Sequence, residues 1–474
     1  MFDFIEKNVL EIKNALESGE ITSHSLVLQY LKRITEIDQG EIKYNSVLEV
    51  NPDALNIAKV LDKERENGKI RGIMHGIPIL LKDNINTFDK MHTTAGSLAL
   101  KDNFAPYDAT IVTKLRESGA IILGKANLTE FANFMSFNMR NGYSSLGKEV
   151  LCPYNIKTDP SGSSAGSAVS VALNLTPVSI GTETGGSIMS PAMKNGVVGL
   201  KPTIGLVSRT GIVPISSTLD TAGPIGKTVT DVAVLLSAIR SNDDTDPITQ
   251  EKTDEYIDYT NYLNADSLST STIAIDRSGY DKLEGLRKQA FDNMVTIMKN
   301  SGAKIIEGLD IKQTQYIFFL MKYEFKRNIN KYLATLGEHT KMKTLKDIIS
   351  FNRLNDKEAL KYGQKLLEMC EYNTSGRMNE PEYFKGLEER DNTVKNLDDI
   401  FTSHKIDLIY FANYTSIGPH CGYPTMTIPI GLDEDNIPIG AYLLAPKYKE
   451  ENLISIGYSL EQLTNKRTNP IKEK

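Results

Sequence analysis

Apolar residues recur at helical spacing over residues 4–38, and Thr22 or Ser23 stands where it can cap a second helix through Leu26, Val27, Leu31 and Ile34. From about residue 44 to 232 the pattern changes. Short β-rich runs at 77–81, 121–123, 178–182 and 197–200 alternate with helical stretches such as 108–118, which stops at Gly119. That alternation predicts a layered α/β sheet. A polar stretch over 241–271 has weak periodicity and reads as a long surface connection. Beyond it, a strand at 272–275 leads to helices near 282–301, 311–335, 357–372 and 381–400. The tail returns to strands at 406–411, 425–430 and 439–444, the last two joined by a polar turn at 433–436, and ends in a helix near 450–464. Those last strands need a sheet to join, so the tail is expected to complete the first one. No internal repeat is visible.

Composition narrows the class. The chain has 474 residues, 40% hydrophobic and 24% charged, close to globular averages, and no segment is biased enough to be called disordered. A formal charge of −6 argues against broad affinity for nucleic acid, which rests on Lys/Arg neutralisation of phosphates. No apolar run approaches the length of a membrane span, and the N-terminus has no basic segment followed by a long apolar one. Cys152, Cys370 and Cys421 are odd in number and lack C-x-x-C spacing, so a reducing compartment, the cytoplasm, is the expected location.

Three places carry candidate chemistry. Lys82 ends the apolar run at 77–81; a lysine near apolar walls can be neutral near physiological pH and take a proton from a hydroxyl, although lysines at strand ends more often reach water or pair with a neighbour such as Asp83. Ser187 follows Gly185-Gly186 at a strand-to-helix corner, where consecutive N–H groups can point at one spot as an oxyanion hole requires. An isolated Gly-Gly-Ser is more often a tight turn with a capping serine. Between base and nucleophile one hydroxyl can stand, and the Ser163-Ser164 doublet supplies candidates. Gly162-Ser-Ser-Ala-Gly166 also fits G-x-S-x-G, which would make Ser164 a nucleophile with His339, His404 or His420 as base, but leaves the lysine and the Gly-Gly-Ser corner unexplained. Gly119 to Lys125 approaches a phosphate loop, yet Ala126 replaces the required Ser/Thr and the segment reads as sheet core. The six histidines show no H-E-x-x-H spacing, so catalytic zinc is not expected; no cofactor is expected.

These segments together resemble the amidase signature family, whose hallmark is a Gly/Ser-rich stretch closing on a Gly-Gly-Ser nucleophile. The match runs through His75 to Asn84, Thr93 to Ser97, Gly124 to Asn127, Ser161 to Ser167, Gly181 to Pro191 and Gly196 to Thr203, and resumes weakly near Gly422-Tyr-Pro424. The resemblance implies an α/β fold with one large mixed twisted β-sheet sandwiched between α-helices. It implies a single domain over 1–474: N-terminal helices to about 40, a catalytic core at 44–232, a variable helix-rich segment at 272–400, and a tail at 405–474 completing the core. It further implies a Ser-cisSer-Lys triad of Ser187, Ser163 and Lys82, with a cis bond between Gly162 and Ser163. The oxyanion would be held by the N–H groups of Thr184, Gly185, Gly186 and Ser187, and an acyl-enzyme would form on Ser187. Ala165, where many members have glycine, and Met189 and Met193 are departures that bear only on substrate preference.

Ala132, Asn133 and Phe134 resemble by position a loop lining the acyl pocket in relatives, though Phe134 could equally be core. The stretches 206–216 and 220–224 look most like bacterial stand-alone amidases, including peptide amidases. The expected activity is therefore hydrolysis of a carboxylic or peptide amide by a cytoplasmic monomer or homodimer, with a small-molecule substrate and neither nucleic acid nor membrane as partner. The alternatives are the glutaminase component of glutamyl-tRNA amidotransferase, its A chain, and more remotely a binding protein on the same scaffold.

Overall fold

A computed structural model describes residues 2–251, 256–312 and 317–471. Its centre is a mixed sheet of eleven strands. In chain order they are β1 (Val47–Val50), β2 (Pro78–Lys82), β3 (Ile121–Ala126), β4 (Val178–Glu183), β5 (Val198–Lys201), β6 (Thr221–Gly226), β7 (Thr272–Asp276), β8 (Lys304–Glu307), β9 (Leu408–Phe411), β10 (Thr425–Thr427) and β11 (Tyr442–Leu444). Across the sheet the order is β1-β3-β2-β4-β6-β5-β10-β11-β9-β7-β8. The tail strands β10 and β11 bridge the two halves: β10 pairs with β5 on one side and β11 on the other.

Strands β2, β3 and β4 are buried along their whole length, and β2 and the first half of β3 accordingly read as apolar runs, whereas β4 carries Ser179, Thr182 and Glu183 as well. Helices cover both faces. The helix Val229–Ile239 is almost entirely buried and is started by a capping box in which Thr228 and Asp231 satisfy each other's backbone N–H. The helix Ala165–Ala172 is built from small residues because it lies hard against the sheet: a Cβ on Gly166 would sit 2.4 Å from the carbonyl oxygens of both Asn127 and Ser46. Thr22, not Ser23, caps the second helix, Ser23–Arg33. Among the described residues no helix is long and apolar enough to cross a membrane.

Several elements differ from the sequence expectation. The expected helix at 357–372 is two pieces, Asp356–Ala359 and Lys365–Tyr372, broken near Gly363 with φ +70, and the helix Leu345–Leu354 precedes it. Of the helix expected at 311–335, Ile317–Thr335 is helical, residues 311–312 are not, and 313–316 lie outside the described residues. The strand expected at 425–430 divides: β10 stays in the large sheet, while Pro429–Leu432 pairs with Pro438–Gly440 in a separate ribbon. The polar stretch 241–271, apart from 252–255, which lie outside the described residues, is pinned to the body. Asp243 accepts from Ser208 and Thr110 hydroxyls at 2.6 Å each, and Tyr259 and Leu268 are buried.

Candidate active site

Strands β2 and β4 run parallel and adjacent, so Lys82 and the turn after Glu183 emerge at the same end of the sheet. β6 runs antiparallel to β4 and begins there, with Thr221 opposite Glu183, which brings Asp220 to the same corner. The helix Ala165–Ala172 delivers Ser163 to it from above, and the Gly162–Ser163 peptide bond is cis.

Lys82 is fully buried, and its Nζ lies 2.8 Å from Ser163 Oγ, 2.9 Å from Thr182 Oγ1 and 3.1 Å from the Thr182 carbonyl oxygen. Burial pushes its pKa down to about 7, with Glu183 and then Asp220 pulling the other way. Asn84 Nδ2 donates to the same Thr182 hydroxyl at 2.9 Å. Ser187, partly exposed, belongs to the neighbouring turn, which is stitched to the serine doublet where Ser164 N–H donates to the Ser187 carbonyl at 3.1 Å. The Ser164 hydroxyl is engaged with the backbone instead, donating to Thr182 O and accepting from Thr182 N–H. That position makes it part of the helix–sheet junction.

The turn from Thr184 to Ser187 is shaped from two sides. Glu183 curls back so that its Oε2 accepts from Ile188 N–H at 2.7 Å and Met189 N–H at 3.0 Å. Among the described residues the N–H groups of Gly185 and Ser187 have no acceptor. Burial raises the Glu183 carboxyl and the buried Lys201 opposes it. Gly186 has φ +106, and a Cβ there would meet Tyr414 Oη at 2.2 Å, so only glycine fits. On the other side, Thr184 Oγ1 donates to Asp220 Oδ1 at 2.6 Å. Burial lifts the Asp220 carboxyl to about 6 against the hydrogen bonds it accepts.

A cavity of about 320 Å³ opens beside this corner, walled by Asn84, Thr182 and Thr184, by the loop from Arg209 to Ser217, and by Asn328 and Tyr332 of the helix Ile317–Thr335. Arg209 keeps the loop in place through a two-pronged ion pair with Asp246, at 2.6 and 2.9 Å. Of the three loop residues singled out from sequence, Ala132 lines the cavity, Asn133 contacts Asn141, and Phe134 is buried with its ring centroid 5.0 Å from that of Phe325. Phe131, Ala132 and Asn133 all have positive φ (47°, 52° and 68°), a costly run for residues with side chains and one that tends to mark functional loops. Thr182, Asn84 and Asp220 were not singled out in the sequence as site residues, because their types are common and only the fold brings them to Lys82.

The segment resembling a phosphate loop is β3. Its Lys125 is buried and donates to the Ile85 carbonyl at 2.8 Å and to Thr93 Oγ1 at 2.9 Å. Among the described residues no cluster of three or more His, Cys, Asp or Glu is placed to hold a metal ion.

The family model described as Amidase matches residues 25–454. The chain belongs to the amidase family. A probable amidase of Arabidopsis thaliana is 37% identical to it over 99% of this chain and 92% of the relative. The native peptide amidase from Stenotrophomonas maltophilia superimposes on it with a TM-score of 0.93 at 37% identity, each chain being covered completely. The A chain of glutamyl-tRNA(Gln) amidotransferase from Caldanaerobacter subterraneus is 31% identical over 96% of each chain, a more distant likeness. The protein is thus an amide hydrolase, and its eleven-stranded sheet between helices is the amidase signature fold.

Proposed function

We propose that this amidase works through Ser187 as nucleophile, Ser163 as bridging hydroxyl and Lys82 as base, the whole chain acting as one catalytic domain. The observation that carries this reading is the 2.8 Å contact of Lys82 Nζ with Ser163 Oγ in a fully buried setting. A neutral lysine has two N–H donors and one lone pair. The two Thr182 oxygens take the donors, and the lone pair is left for the Ser163 proton. Ser163 can then accept the proton of Ser187 as Ser187 Oγ bonds to the amide carbonyl carbon. The oxyanion is held by N–H groups of the 184–187 turn, where, among the described residues, those of Gly185 and Ser187 have no acceptor. Returned through Ser163, the proton leaves with the amine or ammonia. Water, deprotonated by the same relay, then frees the acid from the ester on Ser187.

The substrate is a small amide or a peptide amide, which suits a cavity of about 320 Å³ with Ile212, Val213 and Ile215 in its walls. The enzyme works alone, as a monomer or homodimer, and in the cytoplasm, where three unpaired cysteines fit. A hydrolysis screen of the purified chain tests this reading. Release of ammonia or amine from simple amides or peptide amides, without ATP, tRNA or a partner protein, supports it. Glutaminase activity that appears only when a partner protein is added contradicts it in favour of an amidotransferase component.

A further inference from the structure

The helix Ile317–Thr335 carries Glu324, Asn328 and Tyr332 at successive i, i+4 positions, hence on one face. Asn328 and Tyr332 wall the cavity. Glu324 is fully buried and gathers donors: Ser216 Oγ at 2.5 Å, Thr218 N–H at 3.1 Å, the Thr218 hydroxyl, and Tyr383 Oη at 2.8 Å from the helix Pro381–His404. Those contacts fix the loop that Asp220 closes. Asp220 Oδ2 accepts from Ile215 N–H and Ser216 N–H at 2.8 Å each, while its Oδ1 takes the Thr184 hydroxyl. Carboxylates accepting several donors make short, strong bonds, and a buried carboxylate that loses them is strongly destabilised, so the arrangement has one favoured geometry.

We propose that Asp220 and Glu324 are positioning residues that tie the helix-rich segment to the turn bearing Ser187: Glu324 clamps the 215–218 loop, the loop fixes Asp220, and Asp220 holds Thr184. Neither carboxylate touches the reacting atoms. Both act by setting where the N–H groups after Thr184 point. Because Glu324 shares a helix face with the cavity wall, a substrate that fills the cavity leans on the element that braces the turn. Binding energy from remote parts of the substrate is thereby used at the reacting carbonyl. This inference rests on the proposed role of the 184–187 turn as oxyanion hole.

The test is a double-mutant cycle with Thr184→Val and Glu324→Gln, each preparation normalised by titrating its active sites with a serine-directed phosphonate. Misplacement of an oxyanion donor by about 1 Å costs up to about 100-fold, so each single variant should lose about 10- to 100-fold in kcat with KM within about threefold of wild type. Affinity for a peptide aldehyde, which forms an oxyanion on the serine, should fall by the same factor. The double variant should be no worse than the poorer single one, since both act along one path. Thr184→Ser, which keeps the donor, should recover most of what Thr184→Val loses. Should Glu324→Gln fold poorly, Tyr383→Phe removes one of its donors and should give a several-fold loss of kcat with the same signature. Losses that multiply in the double variant, or single variants with wild-type kcat and aldehyde affinity, overturn the relay while leaving labelled Ser187 intact. A wild-type enzyme that the phosphonate does not label at Ser187 overturns the reading beneath it as well.

Discussion

Changing the protonation of Lys82 is the most informative perturbation of this site. Its pKa is held at about 7 by burial, against an ordinary 10.5, which corresponds to about 5 kcal/mol of penalty on the charged form. At pH 7 about half of the molecules then carry a neutral base, against about one in 3,000 for a lysine in water. The sign follows directly: the active form is the deprotonated one, so kcat/KM should rise with pH, reach half its plateau near pH 7, and fall about tenfold per unit below pH 6. The assay is ammonia release from a reactive primary amide between pH 5 and 9. Asp220, lifted to about 6, titrates nearby, so the profile is repeated in Asp220→Asn. That variant removes a negative charge that favours protonated Lys82, and the acid limb should persist but move to lower pH. Lys82→Arg should lose about 10²- to 10⁴-fold, the usual worth of a general base, because guanidinium keeps its proton. A flat profile through pH 7, loss of the limb in Asp220→Asn, or Lys82→Arg within tenfold of wild type would refute lysine as the base.

Gly186→Ala should cost stability and nearly all turnover, because its Cβ would lie 2.2 Å from Tyr414 Oη at φ +106. Adding Tyr414→Phe removes the hydroxyl contact but leaves the ring carbon Cζ at 2.9 Å and a backbone strain of about 1–3 kcal/mol, so thermal melting should recover only in part, and full recovery would place the whole cost in the tyrosine hydroxyl. Glu130 is fully buried, and burial lifts its carboxyl from an ordinary 4.5 to about 7. Its folded-state pKa is therefore above the unfolded one, and the stability it contributes is present below about pH 4.5 and lost as pH rises through 7, about 3 kcal/mol in all. Glu130→Gln cannot ionise, so in urea melts its advantage over wild type should grow from under about 1 kcal/mol at pH 5 to about 3 kcal/mol at pH 8. An advantage independent of pH would show that Glu130 has the same pKa folded and unfolded, so that burial does not lift its carboxyl.

How much of this was legible in the sequence depends on whether a residue's environment is local. Strands β2 and β3 stood out because burial on both faces demands a run of apolar residues, and β4, with the sequence Val-Ser-Ile-Gly-Thr-Glu, through Val178 and Ile180 ahead of the Gly-Gly-Ser corner. β6, with the sequence Thr-Ala-Gly-Pro-Ile-Gly, did not. Proline has no N–H to give a ladder and is tolerated here because β5 pairs with β6 only at Ile225 and Gly226, short of Pro224. The edge strand β8 is half exposed and carries no such run. The proposed triad of Lys82, Ser163 and Ser187 was drawn from its motifs. Thr182 sits inside one of those motifs, but its role depends on Lys82 reaching it from the adjacent strand. Glu324 was invisible, since a glutamate in a polar-apolar helix reads as a solvated face until the fold buries it against Ser216 and Thr218. Phe134 was ambiguous for the converse reason: an aromatic beside a pocket and one in a core look alike, and here its ring packs against Phe325 and Phe318.

The central claim, that Ser187 becomes acylated, is tested most directly by peptide mapping of the enzyme after reaction with a serine-directed phosphonate. The account predicts a single adduct on Ser187, blocked by excess amide substrate, absent from Ser187→Ala and retained in Ser164→Ala. An adduct on Ser164, or labelling that survives Ser187→Ala, would contradict it.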